Sequence, residues 1–534
     1  MENLMEKVLS LCKRRGFIFQ SSEIYGGLSN TWDYGPYGVE LKNNLKRAWW
    51  KSVVYQRGDI LGMDAAILMH PKVWEASGHL KNFNDPFVKC PACLLFFRLD
   101  KVWDEIWNSK WFVSLRETMM GDKDSLHMLR WAKTEGRKLS PNLSLVKEPE
   151  ITLSFIGDLH QKFGGVEFDF KTYVGRIACS QAGIAQTPCP NCGNPLPEES
   201  MSANLMLATQ FGPVKETAQT VFLRPETAQG MFVNFQNILD SRHPKLPFGL
   251  AQIGKAFRNE ITPGNATFRT REFEQMEIEY FVRPLEADEK LSEWIAYRFD
   301  WYIALGMKKE NLRQRPHGKE ELAHYARACT DIEYNFPFGW SELEGIANRG
   351  DFDLKQHSEA SGKELKYFDD AAKERFYPYI IEPSGGVDRA VLAFLSDAYF
   401  EEKVNPHTNC IKMEGETSIG VGVKDNLRVV LKLHKDLAPT KVAVLPLLRN
   451  RPEIVELARK IAADLKQSFI AAYDDTGAIG KLYRRQDEVG TLYCVTVDVQ
   501  SLEDKQVTVR HRDTMLQERI SVDKLKDYLA EKLV

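Results

Sequence analysis

The stretch GKAFRNEITPGNATFRTREFEQMEIE, residues 254–279, decides the fold. An alternating apolar run, a Pro-Gly-Asn turn and a second, charged run predict a β-hairpin. Its arms carry charges of both signs, on Arg258, Glu260, Arg269, Arg271, Glu272, Glu274, Glu277 and Glu279. A solvated edge hairpin would show the same mixture. The turn would, however, bring Arg269 and Arg271 beside Arg258. Guanidinium groups on rigid strands suit a polyphosphate because each donates two parallel hydrogen bonds.

Length and composition indicate a folded protein with more than one domain. At 534 residues, with 43% hydrophobic and 27% charged residues, the chain exceeds what one core usually supports, so we expect two or three domains. The sequence shows no apolar leader and no apolar run long enough to span a bilayer, which predicts a cytoplasmic protein without a membrane segment. Nine cysteines, an odd number, argue against a disulfide framework. The net charge of −3 neither indicates nor excludes a nucleic-acid partner.

The N-terminal part predicts two helices and a strand. Apolar residues at helical spacing predict helices over 2–15 and 40–54, and a strand over 59–71 ends at a proline. Trp49 and Trp50 offer more apolar surface than one helix face normally buries. They would form either a dimer seam or part of the monomer core, and the sequence leaves both open.

Two CxxC pairs predict a metal site. Cys90 and Cys93 form one pair, and Cys189 and Cys192 form the other. Four thiolates on two tight turns can bind one structural Zn²⁺ in tetrahedral geometry. Because the pairs lie far apart in sequence, the residues between them would form an inserted subdomain clamped at its base. The alternative is that these thiols are free.

The residues around the hairpin predict further helices and strands. Residues 222–243 predict a turn followed by an amphipathic helix, 285–307 a helix, and 330–354 a strand. Residues 377–402 predict a strand, a Ser-Gly-Gly turn that can hold an anion on free N–H groups, and an apolar helix. Ser384 in this turn lacks GxSxG surroundings, so we do not assign it as a nucleophile.

The sequence changes character towards the C-terminus. Four apolar runs alternating with amphipathic patterns predict a small α/β unit of about four strands over 426–534. No P-loop or GxGxxG motif is present, so any nucleotide is bound by another kind of fold. Arg484, Arg485, Arg510 and Arg512 form either an RNA-binding face or a solvated basic rim.

Eight sequence blocks occur together in one order. They are GGLSNTWDYGPYGVELKNN, PKVWEASGHL, LRPETAQGMFVNF, AQIGKAFRNEITP, FRTREFEQMEIEYF, SELEGIANRGDFDL, EPSGGVDR and YRRQDEVG. Together they resemble the dimeric glycyl-tRNA synthetases of class II. The resemblance implies an α+β fold, in which an antiparallel sheet flanked by helices forms a catalytic domain over 1–425. An insertion over about 95–170, flanked by the CxxC pairs, interrupts that domain, and an α/β anticodon-binding domain covers 426–534.

The resemblance also implies an activity and its participants. A homodimer would join glycine to tRNA(Gly) through a glycyl-adenylate, with ATP as a substrate and Mg²⁺ as a cofactor. No protein nucleophile is needed, since orientation and positive charge would supply the catalysis. Because no smaller amino acid exists to enter a glycine site, no editing domain is required.

The glycine site implied by the resemblance is centred on acids. Glu226, Glu277 and Glu382 would hold the ammonium, Ser384 would close the pocket, and Arg349 would lie near the glycine. The full set is Arg98, Glu226, Phe273, Glu274, Gln275, Met276, Glu277, Arg349, Glu382, Pro383, Ser384, Gly385 and Gly386.

The ATP site implied by the resemblance is centred on arginines. Arg258 would contact the α-phosphate, Glu260 the adenine amino group, and Phe273 the adenine ring. Arg389 would cover the other face of the adenine and reach the γ-phosphate, and Glu342 would lie near Mg²⁺. Arg258, Arg389 and Glu342 are the catalytic residues on this interpretation. The full set is Arg258, Asn259, Glu260, Phe268, Arg269, Thr270, Arg271, Glu272, Phe273, Glu342, Leu343, Gly386, Val387, Asp388 and Arg389.

Two other functions compete with this interpretation. The first is a synthetase-derived binding protein that kept the fold and lost the chemistry. Such a protein is expected to lose the ATP residues, whereas Arg258, Glu260, Phe273 and Arg389 are all present. The second is a class II ligase for serine, threonine or proline, against which the RPETAQG block and the acidic ammonium site argue.

Overall fold

The computed structural model describes residues 4–99, 101–109, 187–214, 216–318, 321–323, 325–404 and 426–533. The chain divides into two compact units. The larger unit comprises Met1–Ser77, Leu207–Arg258 and Gly264–Val534, and the smaller comprises Gly78–Met206 and Asn259–Pro263.

A seven-stranded sheet organises the larger unit. In chain order its strands are β1 (Ile60–Gly62), β2 (Phe248–Phe257), β3 (Glu272–Val282), β4 (Leu312–Pro316), β5 (Ala328–Phe336), β6 (Gly339–Gly350) and β7 (Tyr379–Gly386). Their order across the sheet is β4-β5-β6-β7-β3-β2-β1. Neighbouring strands are antiparallel except β1 and β2, which are parallel. The predicted antiparallel sheet is confirmed.

Strands β2 and β3 form the predicted hairpin, with Phe257 opposite Glu272 and Phe248 opposite Phe281. The first arm begins at Phe248, earlier than predicted, because the apolar residues there extend it. Most residues of both arms are buried rather than alternating, since β3 lies between β2 and β7. The hairpin is therefore an interior part of the sheet and not a solvated edge.

The single strand predicted over 330–354 is wrong. The region forms two strands, β5 and β6, which pair with Phe336 opposite Gly339. Pro337 between them has no N–H to give to a ladder, and Gly339 has a φ of 113°, which suits a turn. Helix α6, described below, takes up the last predicted strand residues.

The strand predicted over 59–71 is also too long. Its ladder is limited to β1, and the backbone N–H of Met63 donates to the carbonyl of Ala251 at 2.9 Å where the chain leaves the sheet. A short helix, Lys72–Ala76, follows the proline.

Besides that short helix, the described residues form seven helices around the sheet: α1 (Leu4–Arg15), α2 (Pro36–Trp50), α3 (Ala228–Val233), α4 (Phe235–Arg242), α5 (Ala287–Ala304), α6 (Phe352–Ser361) and α7 (Val387–Ala398). Helix α2 begins earlier than predicted, since proline suits its first turn, and it ends in a π-helical turn, Lys51–Tyr55. The helix predicted over 222–243 is two helices, which meet at Asn234.

Trp49 is 1% exposed, and Trp50 packs against Gly62, so both tryptophans pack within the chain.

The C-terminal region adds a paired ribbon and a mixed sheet. The ribbon is β8 (Tyr399–Val404) with β9 (Asn426–Leu431), and the sheet contains β10 (Val442–Pro446), β11 (Ala471–Tyr473), β12 (Tyr493–Val497), β13 (Gln506–His511) and β14 (Gln517–Ser521). The order is β11-β10-β12-β13-β14, with β10 parallel to both neighbours. The prediction of about four strands missed β14, because its sequence QERIS has little apolar character. Helices α8 (Pro452–Leu465), α9 (Ile479–Val489) and α10 (Leu525–Leu533) and the short helix Ser501–Asp504 accompany the sheet.

Shorter elements complete the larger unit. They are the strand pairs Ile18–Gln20 with Trp32–Tyr34, Leu207–Phe211 with Gln219–Leu223, and Tyr367–Asp369 with Glu374–Phe376. Turns of 3₁₀-helix lie at Glu23–Tyr25, Ala266–Phe268, Pro284–Glu286, Lys309–Asn311 and Val522–Lys524.

The smaller unit contains a three-stranded antiparallel sheet. Its central strand, Asn84–Lys89, lies between Phe96–Arg98 and Met201–Asn204, and its helices are His79–Asn82 and Val102–Asn108. Residues 110–186, which form most of the insertion predicted between the CxxC pairs, lie outside the described residues. The domain limits 1–425 and 426–534 and the insertion at about 95–170 remain predictions. No helix in the described ranges is long and apolar enough to cross a membrane.

Candidate active site

Three buried acids meet on one face of the central sheet. Glu277 and Glu279 lie two residues apart on β3, and Glu382 lies on the neighbouring strand β7. One oxygen from each carboxylate lies within 4.8 Å of the other two. We call this group the carboxylate cluster. Side chains two apart on a strand share a face, which places the first two acids side by side.

Glu277 accepts four hydrogen bonds, of which the longest, at 3.4 Å, comes from the side-chain amide of Gln275. One carboxylate oxygen accepts the backbone N–H of Thr227 at 3.0 Å and also the Thr227 hydroxyl, and the other accepts the Ser384 hydroxyl at 2.6 Å. Burial raises the pKa of the Glu277 carboxyl, and the negative charge of Glu226 raises it further, while the hydrogen bond from Ser384 lowers it. Predicted residues Glu277 and Ser384 are thus brought together.

Arg349, from β6, is in direct contact with the cluster. It donates to Asp353 at 2.8 and 2.9 Å and to Glu382 at 2.8 Å, and its guanidinium lies 3.8 Å from the centre of the Tyr325 ring. Burial lowers the pKa of Arg349, but Asp353 and Glu382 together raise it well above its usual value. For Glu382, burial raises the pKa to about 8, against the lowering effect of Arg349.

Glu226 lies beside this group. It accepts a hydrogen bond from Gln229 at 2.9 Å and lies 3.8 Å from a nitrogen of Arg349. Gln229 also donates to Asp353 at 3.0 Å and bonds His357 at 2.8 Å. The sequence interpretation missed Thr227, Gln229, Glu279, Tyr325 and Asp353. The position of Gln229 three residues after Glu226 on a predicted helix was the one local signal for its contact.

Arg389 and Glu342 form a second group. A guanidinium nitrogen of Arg389 lies 3.1 Å from a carboxylate oxygen of Glu342, and another donates to the carbonyl of Phe268 at 3.1 Å. The guanidinium lies 4.6 Å from the centre of the Phe268 ring, which packs edge-on against Phe336 and Phe338. Arg389 is the main cause of the lowered pKa of Glu342, and Arg258 and Arg269 lower it further. Three predicted arginines therefore surround one carboxylate.

Arg258 comes directly after β2. Its backbone N–H donates to the carbonyl of Arg271 at 2.9 Å, which brings the two arms together. Its side chain donates to the carbonyl of Pro225 at 3.0 Å, and its guanidinium lies 5.3 Å from the centre of the Phe273 ring. This cation and aromatic face form a polar corner of the kind that a nucleotide can occupy.

Glu274 and Asp388 lie against helix α2. Glu274 forms ion pairs with Lys42 at 3.1 Å and Lys46 at 3.0 Å. Asp388 accepts the Tyr34 hydroxyl at 2.6 Å, Lys42 at 2.7 Å and the backbone N–H of Glu274 at 2.7 Å. Both carboxylates already receive protein donors, and their assignment to glycine and ATP remains a prediction.

The other predicted residues of the larger unit lie on the same elements: Arg269, Thr270 and Arg271 in the hairpin loop, Glu272, Phe273, Gln275 and Met276 on β3, Leu343 on β6, Pro383, Gly385 and Gly386 on β7, and Val387 at the start of α7. Met276, Leu343 and Val387 are buried in the hydrophobic core. Their side chains pack in the core, and their assignment to the glycine and ATP sites remains a prediction.

Asn259, Glu260 and Arg98 belong to the smaller unit. The backbone N–H of Asn259 donates to the carbonyl of Leu205 at 2.8 Å, Glu260 is buried, and Arg98 forms an ion pair with Asp85. Their predicted substrate contacts remain predictions.

The four predicted metal ligands come together in the smaller unit. The sulfur atoms of Cys90 and Cys192 are 3.7 Å apart, those of Cys93 and Cys189 are 3.6 Å apart, and all four lie within 4.8 Å of one another. Tetrahedral zinc with bonds of about 2.3 Å places its sulfur ligands about 3.8 Å apart. The donor set and its spacing therefore fit Zn²⁺.

Family comparisons agree with this arrangement. The family described as "tRNA synthetase class II core domain (G, H, P, S and T)" matches residues 211–398, and the one described as "Anticodon binding domain" matches 441–532. A crystal structure of prolyl-tRNA synthetase from Cryptosporidium parvum is similar with a TM-score of 0.56 at 12% identity, over 98% of this chain and 76% of that chain. The fold is that of a class II aminoacyl-tRNA synthetase, as predicted.

Curated relatives narrow the family further. A "Glycine--tRNA ligase" from Caldanaerobacter subterraneus subsp. tengcongensis is 47% identical over 99% of this chain and 98% of that protein. Proteins of the same name from Alkaliphilus oremlandii and Geobacillus kaustophilus are each 46% identical, over 100% and 99% of this chain and 99% of each protein. The chain belongs to the glycine–tRNA ligase family.

Proposed function

We propose that this chain joins glycine to tRNA(Gly) with ATP, through a glycyl-adenylate. The observation that carries the proposal is the placement of two groups of side chains. The carboxylate cluster and the pair Phe273 and Arg389 lie on, or directly after, β3 and β7. The carboxylate cluster and Arg349 suit the charged ends of an amino acid, and β3 and β7 lead from the cluster to Phe273 and Arg389. Catalysis of this reaction depends on holding an amino acid and ATP end to end.

In the first step, an oxygen of the glycine carboxylate attacks the α-phosphorus of ATP. The bond from that phosphorus to the β-phosphate oxygen breaks, and pyrophosphate leaves. Arg258 would neutralise charge at the α-phosphate, and Arg389 would bind the γ-phosphate. Their positions near Glu342 support these roles, because fixed cations stabilise charge where it develops.

In the second step, a hydroxyl of the terminal tRNA ribose attacks the carbonyl carbon of the adenylate. The bond from that carbon to the phosphate oxygen breaks, AMP leaves, and the hydroxyl proton passes to the departing phosphate. No protein nucleophile takes part, and Ser384 is engaged as a donor to Glu277. Glycine selection would rest on the buried acids and on the lack of room for a larger side chain.

Two metals accompany the proposal. Glu342 would hold Mg²⁺, which supplies charge neutralisation on the pyrophosphate, and its 49% exposed side chain suits a shared ligand.

The four cysteines would hold a structural Zn²⁺ that ties together the smaller unit. Elemental analysis of the purified protein is expected to give about one zinc per chain, and a Cys90→Ser, Cys189→Ser variant is expected to lose it. Absence of zinc from the wild-type protein would remove this part of the proposal.

A homodimer is the expected assembly. Tyr55 at the end of the π-helical turn is 76% exposed, and Ile24 and Tyr25 are 88% and 87% exposed, so apolar surface remains for a second copy. Sedimentation equilibrium is expected to give twice the mass of one chain, and a single-chain mass at micromolar concentration would contradict it.

The decisive experiment is amino-acid-dependent exchange of labelled pyrophosphate into ATP. Exchange is expected with glycine and not with serine, alanine or proline. Exchange with another amino acid but not glycine would overturn the specificity. No exchange with any amino acid would favour the binding-protein alternative.

A further inference from the structure

A histidine, a cysteine and an aspartate meet near the β4 edge of the central sheet. They are His317, which directly follows β4, and Cys329 and Asp331, which lie two residues apart on β5. One ligand atom from each lies within 4.8 Å of the ligand atoms of the other two. We call this group the edge triad. Neither the family resemblance nor the proposed reaction assigns these three residues.

Strand pairing fixes the edge triad. The backbone N–H of His317 donates to the carbonyl of Cys329 at 2.9 Å, which holds the end of β4 against β5. Residues two apart on a strand share a face, so the side chains of Cys329 and Asp331 lie on the same side of the sheet. The imidazole Nε2 of His317 lies 2.8 Å from one oxygen of Asp331, and the sulfur of Cys329 lies 4.0 Å from the other. The three ligand atoms therefore share one small volume.

We propose that the edge triad is a second metal site, which binds Zn²⁺ or a divalent cation of similar ligand preference through one nitrogen, one sulfur and one oxygen. Imidazole and thiolate are ligands that suit zinc, whereas magnesium and calcium prefer oxygen. Three protein ligands leave the fourth tetrahedral position open to water or to a further ligand, as in catalytic zinc sites. The inference goes beyond the proposed function and does not depend on it.

The spacing of the edge triad fits a tetrahedral ion after small shifts. Zinc bonds of about 2.0 Å to nitrogen and oxygen and about 2.3 Å to sulfur place nitrogen about 3.3 Å, and sulfur about 3.5 Å, from a carboxylate oxygen. The corresponding distances to Asp331 are 2.8 Å and 4.0 Å, so each changes by about 0.5 Å. The side chains of His317 and Asp331 are 19% and 11% exposed, which leaves the ion a path from solvent.

The electrostatic surroundings of the edge triad have one requirement for binding. Burial raises the pKa of the Cys329 thiol, and the negative charge of Asp331 raises it further. Burial raises the pKa of Asp331 to about 6, and the negative charge of Glu342 adds to this effect. The positive charge of Arg315 lowers both pKa values. A dication between the thiol and the carboxyl would stabilise both anionic forms, and it must displace the thiol proton, as at other zinc–thiolate sites.

The edge triad shares a face of the sheet with the carboxylate cluster. Asp331 lies opposite Gly345 on β6, Gly345 opposite Ser384 on β7, and Ser384 opposite Glu277 on β3. Directly opposed residues face the same side, and neighbouring strands lie about 4.8 Å apart. Two strand spacings therefore put the edge triad about 10 Å from Ser384. A ligand at the open position of the ion would lie on the same side of the sheet as the proposed amino-acid site.

The test is a titration of the full chain with Zn²⁺, followed by calorimetry, in the absence of ATP and glycine. The protein is first dialysed against a weak chelator. His317→Ala, Cys329→Ala and Asp331→Asn each remove one ligand. Cys494→Ala is the matched control, because Cys494 is a buried cysteine without a disulfide on β12, outside the edge triad. The readout is the difference from wild type, so the occupancy of the four cysteines does not affect it.

We expect the wild type and Cys494→Ala to take up one more equivalent of Zn²⁺ than Cys329→Ala does. His317→Ala and Asp331→Asn are expected to bind this equivalent at least about tenfold more weakly, because even changes beyond the direct ligands weaken zinc sites about 10- to 100-fold. A second titration uses Co²⁺. The wild type and Cys494→Ala are expected to show a sulfur-to-metal charge-transfer band that Cys329→Ala lacks, since the thiolate of Cys329 would be a ligand.

Three outcomes would overturn the inference. The first is equal Zn²⁺ affinity in the wild type and any one of the ligand variants, which would place the ion elsewhere, as at the carboxylate cluster. The second is displacement of this equivalent by excess Mg²⁺, because a site with imidazole and thiolate ligands prefers zinc. The third is a wild-type Co²⁺ spectrum without a charge-transfer band. If Cys329→Ala does not fold, the other two variants and that spectrum decide. Pyrophosphate exchange tests the proposed function separately.

Discussion

Two parts of one sheet contain buried glutamates that differ in how the fold pairs them with cations. On β6, Glu344 is 1% exposed and accepts two hydrogen bonds from Arg298 and one from Tyr302. On β3 and β7, the carboxylate cluster places three acids together, and among the described residues Arg349 is the one cation that donates to them. Removing the cation from an acid that has its own cationic partner destabilises the fold, whereas several acids that share one cation are suited to bind another. Burial alone does not distinguish them.

The largest expected effect comes from removing the compensation at Glu344. Arg298→Ala is expected to lower the free energy of unfolding by about 3–5 kcal/mol, because it leaves a buried charge unpaired. Urea unfolding at constant pH measures it. The double variant Arg298→Met, Glu344→Leu is the control and is expected to recover most of the loss. If Arg298→Ala lowers the free energy of unfolding by less than about 1 kcal/mol, Glu344 and the carboxylate cluster do not differ in their effect on stability.

Removing one acid of the carboxylate cluster should act on activity instead of stability. Glu277→Gln is expected to lower kcat/KM for glycine about 100-fold, or roughly 2.7 kcal/mol, by removing a buried charge that faces the ammonium. Its free energy of unfolding is expected to change by less than about 1 kcal/mol, since repulsion within the cluster is relieved. Exchange kinetics and urea unfolding of the same preparation check both. A variant that is fully active but unstable would reverse the assignment.

The pH dependence of the melting temperature should show whether an acid of the carboxylate cluster keeps its proton in the folded protein. Burial raises the pKa of Glu382 from the ordinary 4.5 to about 8. The folded protein therefore keeps a proton that the unfolded chain releases, and this group makes stability fall as pH rises between those two values. Glu382→Gln cannot titrate. Its melting temperature minus that of wild type is expected to increase by about 2–5 °C from pH 5 to pH 8.5. A constant difference across this range would contradict the prediction.

An exposed pair gives the smallest expected effect. Lys355 on α6 and Asp351, the residue before that helix, form an ion pair at 2.8 Å, with side chains 47% and 21% exposed. Lys355→Ala is expected to change the free energy of unfolding by no more than about 0.5 kcal/mol, because solvent and salt screen such pairs. Urea unfolding at low and high salt measures it. A loss of more than about 1 kcal/mol in the free energy of unfolding would show that solvent exposure does not predict the cost of breaking this ion pair.

The sequence predicted the main elements of the sheet better than their limits. The hairpin of β2 and β3 and the strand-to-helix passage at β7 and α7 followed from local periodicity and turn residues. The separation of β5 from β6 was missed, although Pro337 and Gly339 signal a turn, because apolar residues continue on both sides. Strand β14 was missed because polar strands lack an apolar period.

Site residues that lie in a recognisable sequence motif could be predicted. Site residues that only strand pairing brings together could not. The resemblance supplied Glu226, Glu277 and Glu382. It did not supply Glu279, since only the register that opposes β3 and β7 shows that this residue faces another acid. Asp353 was missed for a similar reason. Its contact with Arg349 forms where β6 turns into α6, and local spacing does not show that geometry.

The three donors to Asp388 have a consequence for how this sequence can change over generations. Its carboxylate links the hydroxyl of Tyr34 and the ammonium of Lys42, which lie 354 and 346 residues away in the chain. Replacing Asp388 alone would leave a buried lysine with Glu274 as its one remaining ion-pair partner among the described residues. Positions 34, 42 and 388 are therefore expected to vary together among relatives or not at all. The third donor is the backbone N–H of residue 274, which any residue other than proline supplies.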